Sequence, residues 1–384
     1  MAILGSTGSI GASALDVLSR LKKEFEVVAL SAGSNVDLLA AQAKEFRPKV
    51  IFAQNGRGEE LKSIVPRGIA VENGPKGLEN IVSRPDVDIV LLSISGTACI
   101  PALIKAVQSG KRIALANKEA LVSAGPIIVK LAEKSGAVII PVDSEHSAIF
   151  QCLSGAVGAA GTVKKIYLTG SGGPLLDVPK KDFDKLSRDG ILNHPKWKMG
   201  RKISVDSATM MNKGLEIIEA QYLFNIDESS IEVLIHPEAI IHSMVEFVDG
   251  AVLAQLGAPD MRTPIQYAFT YPARISGAVK SVDFTKASKL SFRKPDTRKF
   301  PCLSFARSAA ASGGTAPAAL CAADEEAVMR YLHGKIKFSD IPRIIEKVMS
   351  KHKNRPGPGL TVESVLSAGR WAKEKTGEVI ACYR

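Results

Sequence analysis

Asp143 and Glu145 stand two residues apart in Pro141-Val142-Asp143-Ser144-Glu145-His146, at the end of the apolar run Ala137 to Pro141. If the chain stays extended there, the alternation of strand side chains turns both carboxylates to one side, which makes half of a site for a hard cation. The competing reading is that one of them caps a following helix. A second group lies in Ser204-Val205-Asp206-Ser207-Ala208-Thr209-Met210-Met211-Asn212-Lys213-Gly214-Leu215-Glu216. If that stretch is helical, Asn212 and Glu216 share a face at i, i+4 and Lys213 adjoins Glu216 at i, i+3; a plain surface ion pair gives the same spacing. Ligands that are all oxygen, without cysteine or a histidine pair, favour Mg2+ or Mn2+ over Zn2+. Gly170-Ser171-Gly172-Gly173-Pro174 offers backbone N–H groups and a hydroxyl to an anion. His194 and Trp197 share with it a long aperiodic segment from Gly170 to Lys202, which reads as a lid that closes over substrate and excludes water. Of the other histidines, His242 opens an apolar run and is either a buried structural residue or a site residue. His236 before Pro237 reads as a turn, and His333 and His352 as exposed helix positions.

Near the start, Gly5-Ser6-Thr7-Gly8-Ser9-Ile10-Gly11 follows an apolar run and opens a helical pattern. This G-x-x-G-x-x-G is a variant of the dinucleotide fingerprint, in which glycines allow close backbone approach and a helix N-terminus faces the pyrophosphate. The second run ends Leu30-Ser31-Ala32-Gly33-Ser34-Asn35, without the Asp or Glu that grips the ribose 2′-hydroxyl in NAD enzymes. That absence favours NADP, with Ser34, Asn35 and a nearby basic group to hold its 2′-phosphate. An ordinary turn is the alternative.

These groups need a scaffold, and the chain has one. Its 384 residues are 46% apolar and 23% charged, a globular mixture of two or three domains. Short apolar runs (Met1 to Leu4, Glu26 to Ser31, Val50 to Ala53, Asp88 to Ser93, Arg112 to Ala116, Ala137 to Pro141) alternate with helical patterns (Ala12 to Leu21, Val36 to Phe46, Pro101 to Gln108, Glu119 to Ser135). The fold class is therefore α/β: a Rossmann-like, doubly wound parallel sheet over 1–142. Runs at Val163 to Thr169, Glu232 to Ile235, His242 to Phe247 and Ala251 to Leu256 make 143–271 a mixed α+β domain, with the lid at about 170–202. A connector over 272–301 leads to an α-helical bundle over 302–384, with helices from Leu303, Ala316, Phe338 and Val362 and a breaker at Arg355-Pro356-Gly357-Pro358-Gly359. The net charge of +11 suits an acidic small molecule, whereas 5% aromatics and scattered lysines argue against nucleic acid. Five widely spaced cysteines without C-x-x-C suggest a reducing compartment. No run approaches the roughly 18 to 20 apolar residues that span a bilayer. A cytoplasmic protein without membrane partner is expected, or a plastid-type one if a transit peptide has been removed. These residues leave open a metal-free NADP-dependent aldehyde or semialdehyde dehydrogenase and a non-enzymatic NADP-binding redox sensor.

ILGSTGSIG, LANKEALV, PVDSEHSAIFQ, LTGSGGP, HPKWKMGRKISVDSATMMNKGLE, LIHPEAIIHSMVEF and LAQLGAPDMRTPI, in this order, closely resemble the 1-deoxy-D-xylulose 5-phosphate reductoisomerase family from Ile3 to about Phe300. The resemblance implies an NADPH- and divalent-metal-dependent enzyme (Mg2+ or Mn2+, with Co2+ also usable), usually a homodimer. It would convert a phosphorylated ketose to 2-C-methyl-D-erythritol 4-phosphate in the non-mevalonate isoprenoid route, by skeletal rearrangement and then hydride transfer. It further implies that Asp143, Glu145 and Glu216 hold the metal. Ser144, Glu145 and Lys118 would meet the substrate, with Ser171, Ser207, Asn212 and Lys213 around its phosphate and His194 beside it. Thr7, Gly8, Ser9, Ile10, Gly33, Ser34, Asn35, Asn117, Glu119 and Gly200 match cofactor positions. Trp197 and Met199 would belong to the lid, and His242 would support the site. The sequence departs from the family in three places. Met1 already lies in the first strand, so a start further upstream is expected. Ser34 stands where a lysine is common, which weakens the expected hold on the 2′-phosphate. Cys321 and Asp324 replace asparagines in the C-terminal domain, where altered packing is expected more than altered activity.

Overall fold

Ala2–Leu4, Val50–Ala53 and Ile89–Leu92 are apolar throughout, and each is a strand buried along its whole length. Such strands suit a parallel sheet covered on both faces. The computed structural model describes every residue except 55–56, 156–160, 198, 288, 356–358 and 383–384. Along the chain lie β1 (Ala2–Leu4), α1 (Ser9–Arg20), β2 (Ala29–Ala32), α2 (Val36–Phe46), β3 (Val50–Ala53), α3 (Gly58–Ile64), β4 (Ala70–Glu72), α4 (Gly77–Val82), β5 (Ile89–Leu92), α5 (Ile100–Gln108), β6 (Arg112–Leu115), α6 (Lys118–Ser135), β7 (Val138–Pro141) and α7 (Ser144–Ser154). Then come β8 (Val163–Gly170), α8 (Arg188–Leu192), α9 (Arg201–Thr209), α10 (Met211–Phe224), β9 (Ile231–Ile235), β10 (Ile241–Phe247), β11 (Val252–Leu256), α11 (Arg262–Thr270), α12 (Cys302–Ser312), α13 (Ala316–Leu332), α14 (Asp340–Met349) and α15 (Val362–Ala381).

The chain divides into two compact units. The first is Met1–Ala120, Ile128–Ser147 and Asp260–Val279. Its seven parallel strands are ordered β4-β3-β2-β1-β5-β6-β7, so the winding direction reverses between β1 and β5, the place where such sheets bind ligands. Gly5 sits there at φ +88°, and a Cβ on it would lie 2.9 Å from the Ser93 carbonyl oxygen. A Cβ on Gly11 would come within 2.3 Å of the Gly5 carbonyl, which explains the two glycines six residues apart. Three short elements, α3, β4 and α4, escape the sequence pattern because β4 is only three residues long and partly exposed. Helix α11, which the sequence boundaries put with the central segment, belongs to this unit, where Arg262 reaches Asp16 at 3.0 Å.

The second unit is Leu121–Ile127, Ala148–Pro259 and Lys280–Arg384. Its sheet runs β11-β10-β8-β9, with β10 antiparallel to both neighbours and β8 parallel to β9. One apolar cluster joins Ile166, Leu215 and Ile218 to Leu320, Ile344 and Ile380. The C-terminal helices therefore share a core with the sheet instead of forming a separate bundle. Alanines fill the buried face of α13, and their small side chains admit neighbours closely. The segment 170–202, expected to be without regular structure, holds a 3-10 turn at Lys180–Lys185 and then α8. The stretch 204–216 is helical in two pieces, broken at Met210, whose φ of +61° ends α9 and leaves Asn212, Lys213 and Glu216 together on α10. His236, expected in a turn, is buried past β9, where its ring N–H donates to the Ser291 carbonyl at 2.9 Å. His352, expected exposed, is half-buried just past α14, 3.0 Å from the Thr315 hydroxyl. His333 is exposed at the end of α13. Of the expected breaker at 355–359, residues 356–358 lie outside the described residues.

Asp324, the residue that departs from the family pattern, is fully buried, and the Lys202 ammonium stands 3.0 Å from it and 2.6 Å from the buried Asp206. One cation thus ties α9 to α13 between two carboxylates. Removing that cation from between two buried carboxylates costs about 3–5 kcal/mol, whereas Asp324→Asn leaves the Lys202–Asp206 pair intact. Denaturant melts are expected to show Lys202→Met strongly destabilised and Asp324→Asn near wild type; equal stability of the two variants would contradict this.

Candidate active site

In the first unit, Asp143 ends the loop after β7. Its Oδ1 accepts the backbone N–H groups of Glu145 at 3.1 Å and His146 at 3.3 Å. It is therefore the cap of α7, and the extended Asp-x-Glu geometry is corrected: both carboxylates sit at the start of a helix. The cap does not exclude the cation reading, because the opposite oxygen, Oδ2, lies 3.1 Å from the Lys118 ammonium. Lys118 is buried in the first turn of α6. Asn117 fixes that turn, accepting the Ala120 N–H at 2.7 Å and donating to the carbonyls of Ile94 and Gly96. The ring of His146 is fully buried, with Nδ1 3.0 Å from Asp143 Oδ1. Sequence reasoning gave His146 no role; its i, i+3 spacing from Asp143 was the available signal. Ser144 donates its hydroxyl to Glu145. Glu119 is buried in the same turn as Lys118.

The glycine loop of this unit runs from β1 into α1. Gly8 and Ser9 are exposed, Thr7 and Ile10 half-buried, and no side chain caps the first turn of α1. Ser6 is buried and held to Gln42, which donates to the Ser6 carbonyl at 2.9 Å and accepts the Ser6 hydroxyl at 2.7 Å. Gln42 was missed, although a polar residue on the otherwise apolar stripe of α2 marks it. Gly33, Ser34 and Asn35 form the exposed link from β2 to α2, with Asn35 capping Leu38 at 3.1 Å.

In the second unit the phosphate candidates come together. Gly172 and Gly173 hold φ of +87° and +70°, and a Cβ on Gly173 would strike the Ser207 carbonyl at 2.7 Å. Only glycine allows that turn to lie so close to α9. Ser171 Oγ is 3.0 Å from His194 Nε2. Lys213 is buried with its stem along Gly170 and its ammonium 2.5 Å from the fully buried Glu216, which also accepts from Asn212. The surface-pair reading is thereby excluded; the pair lies inside the protein. His194 Nδ1 accepts the N–H groups of Lys196 at 3.2 Å and Trp197 at 3.0 Å, so its proton resides on Nε2. Burial, and then the charge of Lys213, lower its pKa from 6.5 to about 4. The ring is a neutral donor at pH 7. Trp197 and Met199 are half-buried, with the Trp197 ring 6.2 Å from that of His242, itself buried at the start of β10. Gly200 is exposed at the head of α9.

Two cysteine thiols are unsuited to nucleophilic catalysis. Burial pushes Cys152 up to about 11, and burial together with Asp324 and Asp206 raises Cys302 well above the usual thiol range. No helix among the described residues is long and apolar enough to cross a membrane.

Family models described as 1-deoxy-D-xylulose 5-phosphate reductoisomerase match residues 1–125 and, for its C-terminal domain, 139–224. A DXP reductoisomerase C-terminal domain model matches 256–375. A 1-deoxy-D-xylulose 5-phosphate reductoisomerase from Pelotomaculum thermopropionicum is 47% identical, covering 98% of this chain and 97% of its own. One from Chloroherpeton thalassium is 51% identical, covering 92% and 91%. Among solved structures, a DOX-P reductoisomerase in complex with NADPH, fosmidomycin and magnesium superimposes with a TM-score of 0.94 at 41% identity, covering 99% of this chain and 98% of that one. The Zymomonas mobilis enzyme in complex with NADPH gives 0.90 at 38% identity, covering 99% and 98%.

The lowered pKa of His194 has a signed consequence. The unfolded chain takes up a proton near pH 6.5 that the folded chain resists until about pH 4, so the stability owed to this ring is present above pH 6.5 and lost as pH falls through that window. Histidine NMR should give His194 a midpoint near 4, moving upward in Lys213→Ala; a midpoint at or above 6.5 would contradict the burial described.

Proposed function

This chain belongs to the 1-deoxy-D-xylulose 5-phosphate reductoisomerase family, and on that premise we propose that Asp143, Glu145 and Glu216 hold the divalent ion its reaction requires. The enzyme converts 1-deoxy-D-xylulose 5-phosphate to 2-C-methyl-D-erythritol 4-phosphate with NADPH and magnesium in the non-mevalonate isoprenoid pathway. Manganese and cobalt suit the same ligands. The observation that carries the site assignment is the buried Lys213–Glu216 pair beside the Ser171–Gly173 turn: one helical turn offers a cation for a phosphate and a carboxylate for a metal. All three proposed metal ligands are carboxylates, as a hard cation demands. The glycine loop fits a dinucleotide, since Gly5 and Gly11 allow backbone contacts that any Cβ would prevent.

When bound, the ion supplies a Lewis acid for the carbonyl and adjacent hydroxyl oxygens of the ketose, and NADPH supplies the hydride. The protein's part is placement. Ser171, Ser207, Asn212 and Lys213 grip the phosphate, and His194 stands beside it, its Nε2–H donating to the Ser171 hydroxyl and so orienting it. Binding energy from that distant group helps fix the reacting carbons. Ser144, Glu145 and Lys118 meet the sugar, while Trp197 and Met199 cover it and His242 backs Trp197. Thr7, Gly8, Ser9, Ile10, Gly33, Ser34, Asn35, Asn117, Glu119 and Gly200 contact the cofactor. In this reading residues 1–142 bind the dinucleotide, 143–271 carry the metal and substrate, and 302–384 support them. A homodimer in the cytoplasm completes the proposal. What supports the dimer is that β11 is an edge strand with Val252 and Leu253 exposed, an apolar edge that a second copy would cover.

NADPH oxidation by the purified protein with the ketose phosphate is expected to stop on chelation and return with Mg2+ or Mn2+. Asp143→Asn and Glu216→Gln should lose turnover by orders of magnitude while NADPH affinity measured by fluorescence stays near wild type. Near-normal turnover in either variant would remove that residue from the ligand set.

A further inference from the structure

The link from β2 to α2 carries no lysine at Ser34, and no acid stands in Gly33-Ser34-Asn35. Parallel pairing of β2 with β3, in register from Ala29 with Val50 to Ala32 with Ala53, sets the segment after β3 beside that link. From there Arg57, at the head of α3, crosses to the link. Its Nη1 donates to the Ser34 carbonyl at 2.7 Å, while Nε and Nη2 hold the Glu60 carboxylate at 2.7 and 2.5 Å. Three of the five guanidinium N–H groups are thereby engaged with described residues, leaving one on each Nη. The two remaining N–H groups of the planar guanidinium can donate to phosphate oxygens. Glu60 and Ser34 hold the guanidinium in place while the side chain stays 39% exposed.

We propose that Arg57 is the residue that recognises the 2′-phosphate of NADPH and sets the preference for it over NADH, replacing a cation on the β2–α2 link by one from the neighbouring loop. The inference rests on the NADP reading above. In a doubly wound sheet the adenosine ribose lies over the end of the second strand, where an arginine accommodates the 2′-phosphate, and Ser34 is that strand's exit. Glu60 plays the opposite part: it orients the guanidinium yet offsets its charge, so it tempers the attraction.

Calorimetry on the full chain with adenosine 2′,5′-bisphosphate and with 5′-AMP tests this without turnover. Arg57→Ala is expected to weaken the bisphosphate about 10- to 100-fold, the worth of hydrogen bonds to a charged group, and to leave 5′-AMP within about twofold. Arg57→Lys should recover part of the loss, and Glu60→Gln should bind the bisphosphate at least as well as wild type. In the steady state, the ratio of kcat/KM for NADPH to that for NADH should fall in Arg57→Ala by the same factor. A wild-type preference for the bisphosphate that survives Arg57→Ala overturns the assignment alone. Equal binding of the two nucleotides by wild type overturns the NADP reading and the assignment with it.

Discussion

A carboxylate taken out of water must find a countercharge or cost several kcal/mol, and the proposed site is arranged around that constraint. Glu216 has no exposed surface, and its countercharge is Lys213, one turn back on α10, with Asn212 donating to it as well. Lys118 stands in the same relation to Asp143. Each acid meets its lysine through the start of a helix: α10 begins at Met211 because Met210 breaks the chain, and α7 begins where Asp143 caps it. The positions of those breaks fix where the carboxylates point.

The two proposed anion-binding regions rest on one backbone requirement. Gly5 and Gly11 in the first unit, and Gly172 and Gly173 in the second, occupy places where a Cβ would collide with main chain or packed side chains. Backbone N–H groups can then face a phosphate closely, with no bulky side chain between. Charge is added sparingly: a neutral His194 lies beside Lys213, and one arginine lies beside the second-strand link.

Much of this was legible in the residues. Strands such as Val50–Ala53 declare themselves because a parallel sheet needs apolar side chains on both faces, and α2 and α13 match their patterns end to end. The i, i+3 pairing of Lys213 with Glu216 follows from helical geometry, although whether it lay on the surface or inside did not. What stayed hidden has a common cause: it depends on partners distant in sequence or on unusual backbone. Methionine is no signal for the left-handed turn at Met210. The cap by Asp143 and the extended alternative have the same sequence, and only the observed N–H partners decide between them. Asp324 reads as a packing change in isolation, but it is half of a charge bridge to Lys202, 122 positions away. Arg57 gives no hint in its own neighbourhood that it reaches Ser34.

The central claim is that carboxylates from two helix starts grip one ion. Crystals grown with NADPH and Mn2+, read by anomalous scattering at the manganese edge, test it most directly. The account predicts one strong peak at about 2.0–2.2 Å from an oxygen of each of Asp143, Glu145 and Glu216, the range for a small octahedral divalent cation. A peak bound by only one side of that set, or none near those three residues, would contradict it.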